Sequence, residues 1–176
     1  EDHHDKMKRN EDLCDRFGDQ VEKEFHVKLL SHEEREKIRH TIQEIPLDLD
    51  AKAFLRTVIA ELSLCHKYGQ RRTNEQCEEG CHYSGYICYH IKNCISNRFP
   101  ISVRTYAQSL AWLMGDKEVN VGHLKTVMPY TLAHRLQWKE EYISQKQSHA
   151  RRDSLQIYVA KETVNEIFRR YNEQSS

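Results

Sequence analysis

The stretch from Phe99 to Leu136, FPISVRTYAQSLAWLMGDKEVNVGHLKTVMPYTLAHRL, decides the fold. Its apolar residues recur at helical spacing on both sides of a glycine, at Ala107, Leu110, Ala111 and Met114 and then at Val121, Leu124, Val127, Met128 and Leu132. Such spacing places apolar side chains on one face of a helix. Pro100 is typical of a helix beginning and Gly115 of a helix end, while Pro129 predicts a kink. The stretch therefore predicts two amphipathic helices.

Helical patterns also lie on both sides of this stretch. Ser31 and Glu34 predict a capping box, and Asp50 is expected to cap the next helix. The apolar residues of these further helices are Phe54, Leu55, Val58, Ile59, Leu62 and Cys65, and later Val164, Ile167, Phe168 and Tyr171. Partial alternation in residues 21–30 predicts a short strand. The sequence thus predicts a mainly α fold, a bundle of about five to six helices.

Composition excludes several classes of protein. The 176 residues hold 27 basic and 27 acidic side chains, so a generally basic surface for nucleic acid is not supported. The 6 glycines and 3 prolines are too few for a turn-rich β-sandwich. No apolar run approaches the ~20 residues that cross a bilayer, and no secretory signal is recognisable. We therefore expect a cytoplasmic protein without a membrane partner.

A glycine pair resembles a phosphate-binding loop but lacks its chemistry. Gly80 and Gly85 have the P-loop spacing, yet Tyr86 and Ile87 stand where Lys and Ser or Thr are needed. The lysine charge for the phosphates and the hydroxyl for Mg²⁺ are both missing. We expect no nucleotide hydrolysis by this chain alone.

Residues 70–97 interrupt the helical pattern with four of the six cysteines, Cys77, Cys81, Cys88 and Cys94. Four thiolates this close in sequence can surround one metal ion, and a metal would stabilise a segment that has few aliphatic residues for a core. Zinc is the first interpretation, an iron–sulfur cluster the second, and free or disulfide-paired cysteines the third. Cys65, His66, His82 or His90 could replace one of the four ligands.

The stretch Phe99–Leu136 resembles the helical lid of MoxR-type AAA+ ATPases. The matching motifs are Ser102-Val103-Arg104, the gap Gly115 to Val121, and Leu132-Ala133-His134-Arg135-Leu136. Upstream, SHEEREKI and FLRTVIAEL look like the first two lid helices. The resemblance covers residues 30–137, interrupted by the insertion 70–97. It leaves residues 1–29 as a segment that could end an AAA+ core, and 138–176 as a helical extension.

The resemblance implies roles for two arginines. Arg104 aligns with the sensor-2 arginine, which reaches from the lid to the γ-phosphate of ATP. Arg16, within Leu13–Phe17, aligns with an arginine that acts across the subunit interface. The family's P-loop, Walker B and sensor-1 regions are absent, so ATP would bind only together with a separate core. The implied partners are that core, neighbouring subunits of a homo-oligomer, and protein clients of a chaperone-like ATPase.

Two other functions remain open at this point. Basic side chains flank the cysteines and tyrosines lie between them, which could serve a module that binds single-stranded nucleic acid: Arg71, Arg72, Lys92, Arg98, Tyr83, Tyr86 and Tyr89. The acidic residues Glu75, Glu78 and Glu79 oppose that function. An iron–sulfur cluster would instead make the chain a redox-sensing module.

Overall fold

Helices form nearly all of the regular structure in the part of the chain that the computed structural model describes, residues 16–72, 81–83, 85–147 and 154–175. The helices are α1 (16–25), α2 (His32–Glu44), α3 (Leu49–Ser63), α4 (Ile87–His90), α5 (Arg98–Met114), α6 (Val121–Leu132), α7 (Glu140–Gln147) and α8 (Leu155–Ser175). In these residues the β-structure consists of isolated bridges, and no strand forms. The prediction of a mainly α bundle is confirmed. None of the helices in the described ranges is long and apolar enough to cross a bilayer.

The chain divides into two compact units, Glu1–Thr41 and Ile42–Ser176. In the first unit, the strand predicted for residues 21–30 is wrong, because residues 16–25 are helical. Val21 and Phe25 are four residues apart, a spacing that suits a helix face as well as a strand. His26 has a positive φ of 52°, which helices do not contain, and it follows directly on the end of α1.

Local hydrogen bonds explain where α2 and α3 begin. The capping box predicted at α2 is confirmed, because the Ser31 hydroxyl accepts from the Glu34 amide at 3.1 Å and the Glu34 carboxylate accepts from the Ser31 amide at 2.7 Å. The second of these bonds lowers the pKa of Glu34. The cap predicted at Asp50 is wrong: Asp48 caps α3, accepting from the Ala51 amide at 2.6 Å. Asp50 instead lies in the first turn, where a carboxylate suits the helix dipole.

The second unit is built around α6, which packs against α3, α5 and α8. Its buried apolar side chains are Leu124, Met128 and Leu132, and they meet Phe54, Val58, Leu62, Phe99, Val103, Ala107, Ala111, Val159, Val164 and Ile167 from the other helices. On α5 the buried face has i, i+4, i+8 spacing and ends at Ala111. Met114 is exposed, contrary to the sequence pattern, because α5 ends there and Gly115 turns the chain with a φ of 78°.

The end of the cysteine-rich segment belongs to the same core. Ile87, Ile91 and Ile95 are buried, so the expectation that this segment lacks aliphatic core residues is wrong for residues 85–97. Ile91 also forms an antiparallel bridge with Trp138, flanked by backbone hydrogen bonds at residues 90, 92, 137 and 139. Only Ile87 of the three lies in a helix, since Ile91 is extended and Ile95 lies in the chain between α4 and α5, so no single periodicity marks them in the sequence.

A buried glutamine joins the end of α2 to α5. The Gln108 side-chain amide donates to the carbonyl of Gln43 at 3.0 Å and to that of Ile45 at 2.6 Å. Gln43 lies in the last turn of α2 and Ile45 directly after that helix, where backbone acceptors lack helical partners. Gln108 therefore holds the connection between α2 and α3 against α5.

We expect Gln108→Leu to lower the free energy of unfolding by about 1–3 kcal/mol. The leucine has no donor, so the two carbonyls lose the hydrogen bonds that Gln108 gives them. Urea unfolding followed by circular dichroism measures the change. The control is Ser109→Ala, which removes only a bond within α5, from Ser109 Oγ to the Thr105 carbonyl. Equal stability of the two variants would contradict this role.

Candidate functional site

Arg104 is an exposed residue of α5 and follows directly on the buried Val103. Its neighbours Val103 and Ala107 are fully buried and fix the rotation of α5 about its own axis. With that rotation set, Arg104 lines a cavity of about 450 Å³ between α3, α5 and the chain at residues 46–47. The residue that the sequence proposed for phosphate binding therefore lies at a concave surface.

We name this cavity the basic groove, after the residues that line it: Pro46, Leu47, Lys52, Leu55, Arg56, Ile59, Pro100, Ile101 and Arg104. Three of these side chains are cationic and the other six are apolar. No carboxylate belongs to the described lining. A groove of this composition suits an anion with an apolar part, because the cations attract charge and the apolar walls exclude water.

Arg16 is the first described residue of α1, and it is exposed. It lies beside a shallow hollow that also contains Asp19, Gln20, Lys23 and Glu24. Leu13, Cys14 and Asp15 of its motif lie outside the described residues. The geometry leaves Arg16 available to a partner and assigns it no role.

The predicted metal ligands lie in different surroundings. Cys88 is buried, Cys81 and Cys94 are half-buried, and Cys77 lies outside the described residues. The Cys94 thiol donates to the carbonyls of Arg72 and Ser63, with sulfur–oxygen distances of 3.3 and 3.6 Å. Within the described ranges, no three His, Cys, Asp or Glu side chains are grouped so as to hold a metal ion. Because Cys77 is not among them, the four-cysteine site stays a prediction.

Two histidines considered as replacement ligands are engaged with other side chains. His66 forms a hydrogen bond through Nε2 to Glu61 at 2.9 Å, and its ring lies 4.1 Å from that of Tyr86. The ring of His90 stacks on Tyr142 at 4.3 Å. Burial raises the pKa of Tyr142, so that ring stays neutral at physiological pH.

Arg72 has a role that the sequence pattern did not indicate. Only 6% of its surface is exposed, and its guanidinium donates to the carbonyls of Cys88 at 2.5 Å and Asn93 at 2.7 Å, and also to that of Ile91. The side chain thus fastens α4 and the loop after it to the end of α3. These acceptors are 16–21 residues away in sequence, so no local pattern could have shown them.

Several of the residues proposed to bind nucleic acid are already engaged with other parts of the chain. Arg72 is buried, and Lys92 forms an ion pair with Glu140 at 3.3 Å. Tyr89 and Tyr86 already accept cations over their rings, Lys139 at 4.2 Å and Arg170 at 4.6 Å. These four side chains therefore already make contacts within the chain.

The His134-Arg135 motif lies just after α6, and its arginine links two helices. Arg135 donates to the Ser102 hydroxyl at 2.9 Å and so links the end of α6 to the first turns of α5. His134 is exposed. Arg135 thus has a structural role, and its partner Ser102 lies two positions before Arg104 in the sequence.

Comparison with known proteins gives one match. No curated protein and no solved structure matches the chain. The family model of the AAA lid domain matches residues 91–155, a range that begins at the buried Ile91 and contains α5, α6 and α7. The part of the chain that carries Arg104 is thus similar to the lid domain of AAA+ proteins.

Proposed function

We propose that this chain is the lid and regulatory portion of a MoxR-type AAA+ ATPase, and that Arg104 is its sensor-2 arginine. The match to the AAA lid domain and the helical bundle support the lid. The observation that carries the role of Arg104 is its position on a firmly packed helix, exposed at the basic groove. A separate AAA+ core supplies the P-loop and the hydrolytic groups, and ATP binds between that core and the lid.

Arg104 acts through the chemistry of its guanidinium. The group is charged at every physiological pH and can donate two parallel hydrogen bonds to phosphate oxygens. Because α5 packs against α6, we expect a force on Arg104 to move both helices rather than one side chain. Loss of the γ-phosphate on hydrolysis removes the contact and releases the lid.

Two partners follow from the same proposal. Arg16 contacts the nucleotide of a neighbouring subunit in a homo-oligomer, and its exposure on α1 is compatible with that role. Protein clients, matured or assembled by the ATPase, bind the complete oligomer. Both partners are inferred from the resemblance to the family.

We expect Arg104→Ala to lower kcat of the ATPase that carries this lid about tenfold to a hundredfold, because one charged donor to the transferred phosphate is lost. Arg104→Lys keeps the charge without the paired hydrogen bonds and should recover only part of the rate. Steady-state ATP hydrolysis is the measurement. Arg71→Ala, an exposed arginine outside the groove, is the control. An unchanged kcat in Arg104→Ala would refute the sensor role.

The 176-residue chain alone is expected to release no phosphate from ATP above the buffer rate, because it lacks the P-loop lysine and hydroxyl. A malachite-green phosphate assay measures this. Turnover that co-purifies with the chain through two columns would show that the core is not required.

We also propose that Cys77, Cys81, Cys88 and Cys94 bind a metal, with zinc as the first candidate and an iron–sulfur cluster as the alternative. The supporting observation is Arg72, a buried cation that bonds to the Cys88 carbonyl and whose own carbonyl accepts from Cys94. A divalent ion with four thiolates carries net negative charge, which such a cation stabilises. Metal binding would replace the present Cys94 hydrogen bonds to carbonyls.

Elemental analysis of anaerobically purified protein tests the metal proposal. We expect about one zinc per chain, or iron with sulfide and a brown colour, and we expect Cys81→Ser to lose metal. Cys14→Ser, a cysteine outside the cluster, is the matched control. A parent protein free of zinc and iron would contradict the site.

A further inference from the structure

We infer that a groove between α5 and α6 binds an acidic amphipathic helix of a partner protein. We name it the apolar groove, and its cavity measures about 610 Å³. The inference goes beyond the proposed function and does not depend on it, because such a helix binds this chain without ATP and without an AAA+ core.

The first argument is the spacing of the residues that line the apolar groove. Both walls follow the same i, i+3, i+4, i+7 pattern. The first wall consists of Tyr106, Ser109, Leu110 and Leu113 of α5. The second consists of Val127, Tyr130 and Thr131 of α6, with His134 in the turn that follows. Each wall extends over two helical turns, about 10 Å. A groove between two such rows fits a third helix, whose own side chains of the same spacing lie between them.

The second argument is the exposure of large side chains in the apolar groove. Tyr106, Leu113 and Tyr130 are 57%, 73% and 53% exposed. Six other tyrosines make a contact with an aromatic ring or with a cation: Tyr68, Tyr83, Tyr86, Tyr89, Tyr142 and Tyr171. In the described part of the chain, Tyr106 and Tyr130 make neither contact. Exposed apolar side chains at a concave surface are typical of an interface, and tyrosines often supply most of the binding energy there.

The third argument is charge, which determines the kind of helix. Neither α5 nor α6 contains Asp or Glu, although 27 of the 176 residues are acidic. The described lining of the apolar groove likewise contains no carboxylate, and it does contain Arg135. The bond from Arg135 to Ser102 places this cation beside the turn of α5 that precedes Tyr106. An acidic helix therefore meets a cation at that end of the groove and no like charge from α5 or α6.

The walls of the apolar groove are already in place. The same two helices contribute Ala107, Ala111, Leu124 and Met128 to the core, and all four are fully buried. The Thr131 hydroxyl donates to the Met128 carbonyl at 2.8 Å. Binding would thus order exposed side chains but not the backbone, which keeps the entropic cost low.

A separate acidic helix explains the apolar groove better than two other occupants do. An apolar small molecule would leave Arg135 without a counter-charge. Two copies of this chain that pair through the groove would bring together helices without a single carboxylate, so neither copy would offer Arg135 an acidic partner on α5 or α6.

The test is fluorescence anisotropy of the 176-residue chain with a labelled helical peptide that has leucines at i, i+3, i+4 and i+7 and glutamates on its other faces. We expect Leu113→Ser and Tyr130→Ser each to weaken binding about fivefold to tenfold, because each removes an apolar contact. Leu49→Ser is the matched control and should leave binding unchanged, since Leu49 is 82% exposed on α3 and lies outside the apolar groove. Circular dichroism shows whether each variant is folded.

A second peptide tests the charge. With lysines in place of the glutamates it should bind at least about tenfold more weakly, because Arg135 then meets like charges. Equal binding of the two peptides overturns the inference.

The remaining outcomes identify the occupant. Absence of binding by the glutamate peptide, or an equal loss in Leu49→Ser and Leu113→Ser, overturns the inference. Sedimentation velocity of the chain alone tests the second copy, and a dimer that Leu113→Ser dissociates would assign the apolar groove to that copy and overturn the inference. None of these measurements involves ATP, so the kinetic test of Arg104 stands apart from them.

Discussion

The packing of α6 against three other helices is the interaction on which the rest of the second unit depends. Leu124, Met128 and Leu132 are fully buried between α3, α5 and α8, so each of those helices takes its orientation from the same apolar surface. The position of the basic groove follows from this arrangement. With Val103 and Ala107 of α5 buried in the core, the exposed Arg104 lies at the groove, to which α3 also contributes cations. Burial of apolar area, which has no directional preference, thus determines where the charged groups lie.

Patterns that depend on neighbouring residues were predictable from the sequence, and those that depend on distant residues were not. The capping box at Ser31, the end of α5 at Gly115 and the apolar stripes of α6 and α8 all follow from spacing within a few residues. The strand predicted for 21–30 failed because Val21 and Phe25 fit two periodicities. Among the candidate residues, Arg104 was proposed from a motif. The position of Lys52 and Arg56 at the basic groove could not be predicted, since an exposed cation has the same pattern whether it faces solvent or a groove.

The cysteine-rich segment is less separate from the bundle than its composition suggests. Its last part contributes Ile91 to the core and bridges to Trp138, while Arg72 binds it to the end of α3. Cys94 takes part in this connection through its bond to the Arg72 carbonyl. The thiol also donates to the carbonyl of Ser63, the last residue of the helix that carries Lys52 and Arg56. A chemical change at Cys94 would therefore alter a bond to that helix.

The three cations that line the basic groove also affect how fast a ligand arrives. A concave surface of one sign with apolar walls concentrates field lines, so that anions are attracted before they touch the protein. On a chain with no net charge this attraction has no competition from the overall field, and its range is set by the Debye length, about 8 Å at physiological salt. The association rate of an anion should therefore fall as ionic strength rises. The same fold that fixes the groove's position thus also directs diffusing anions toward it.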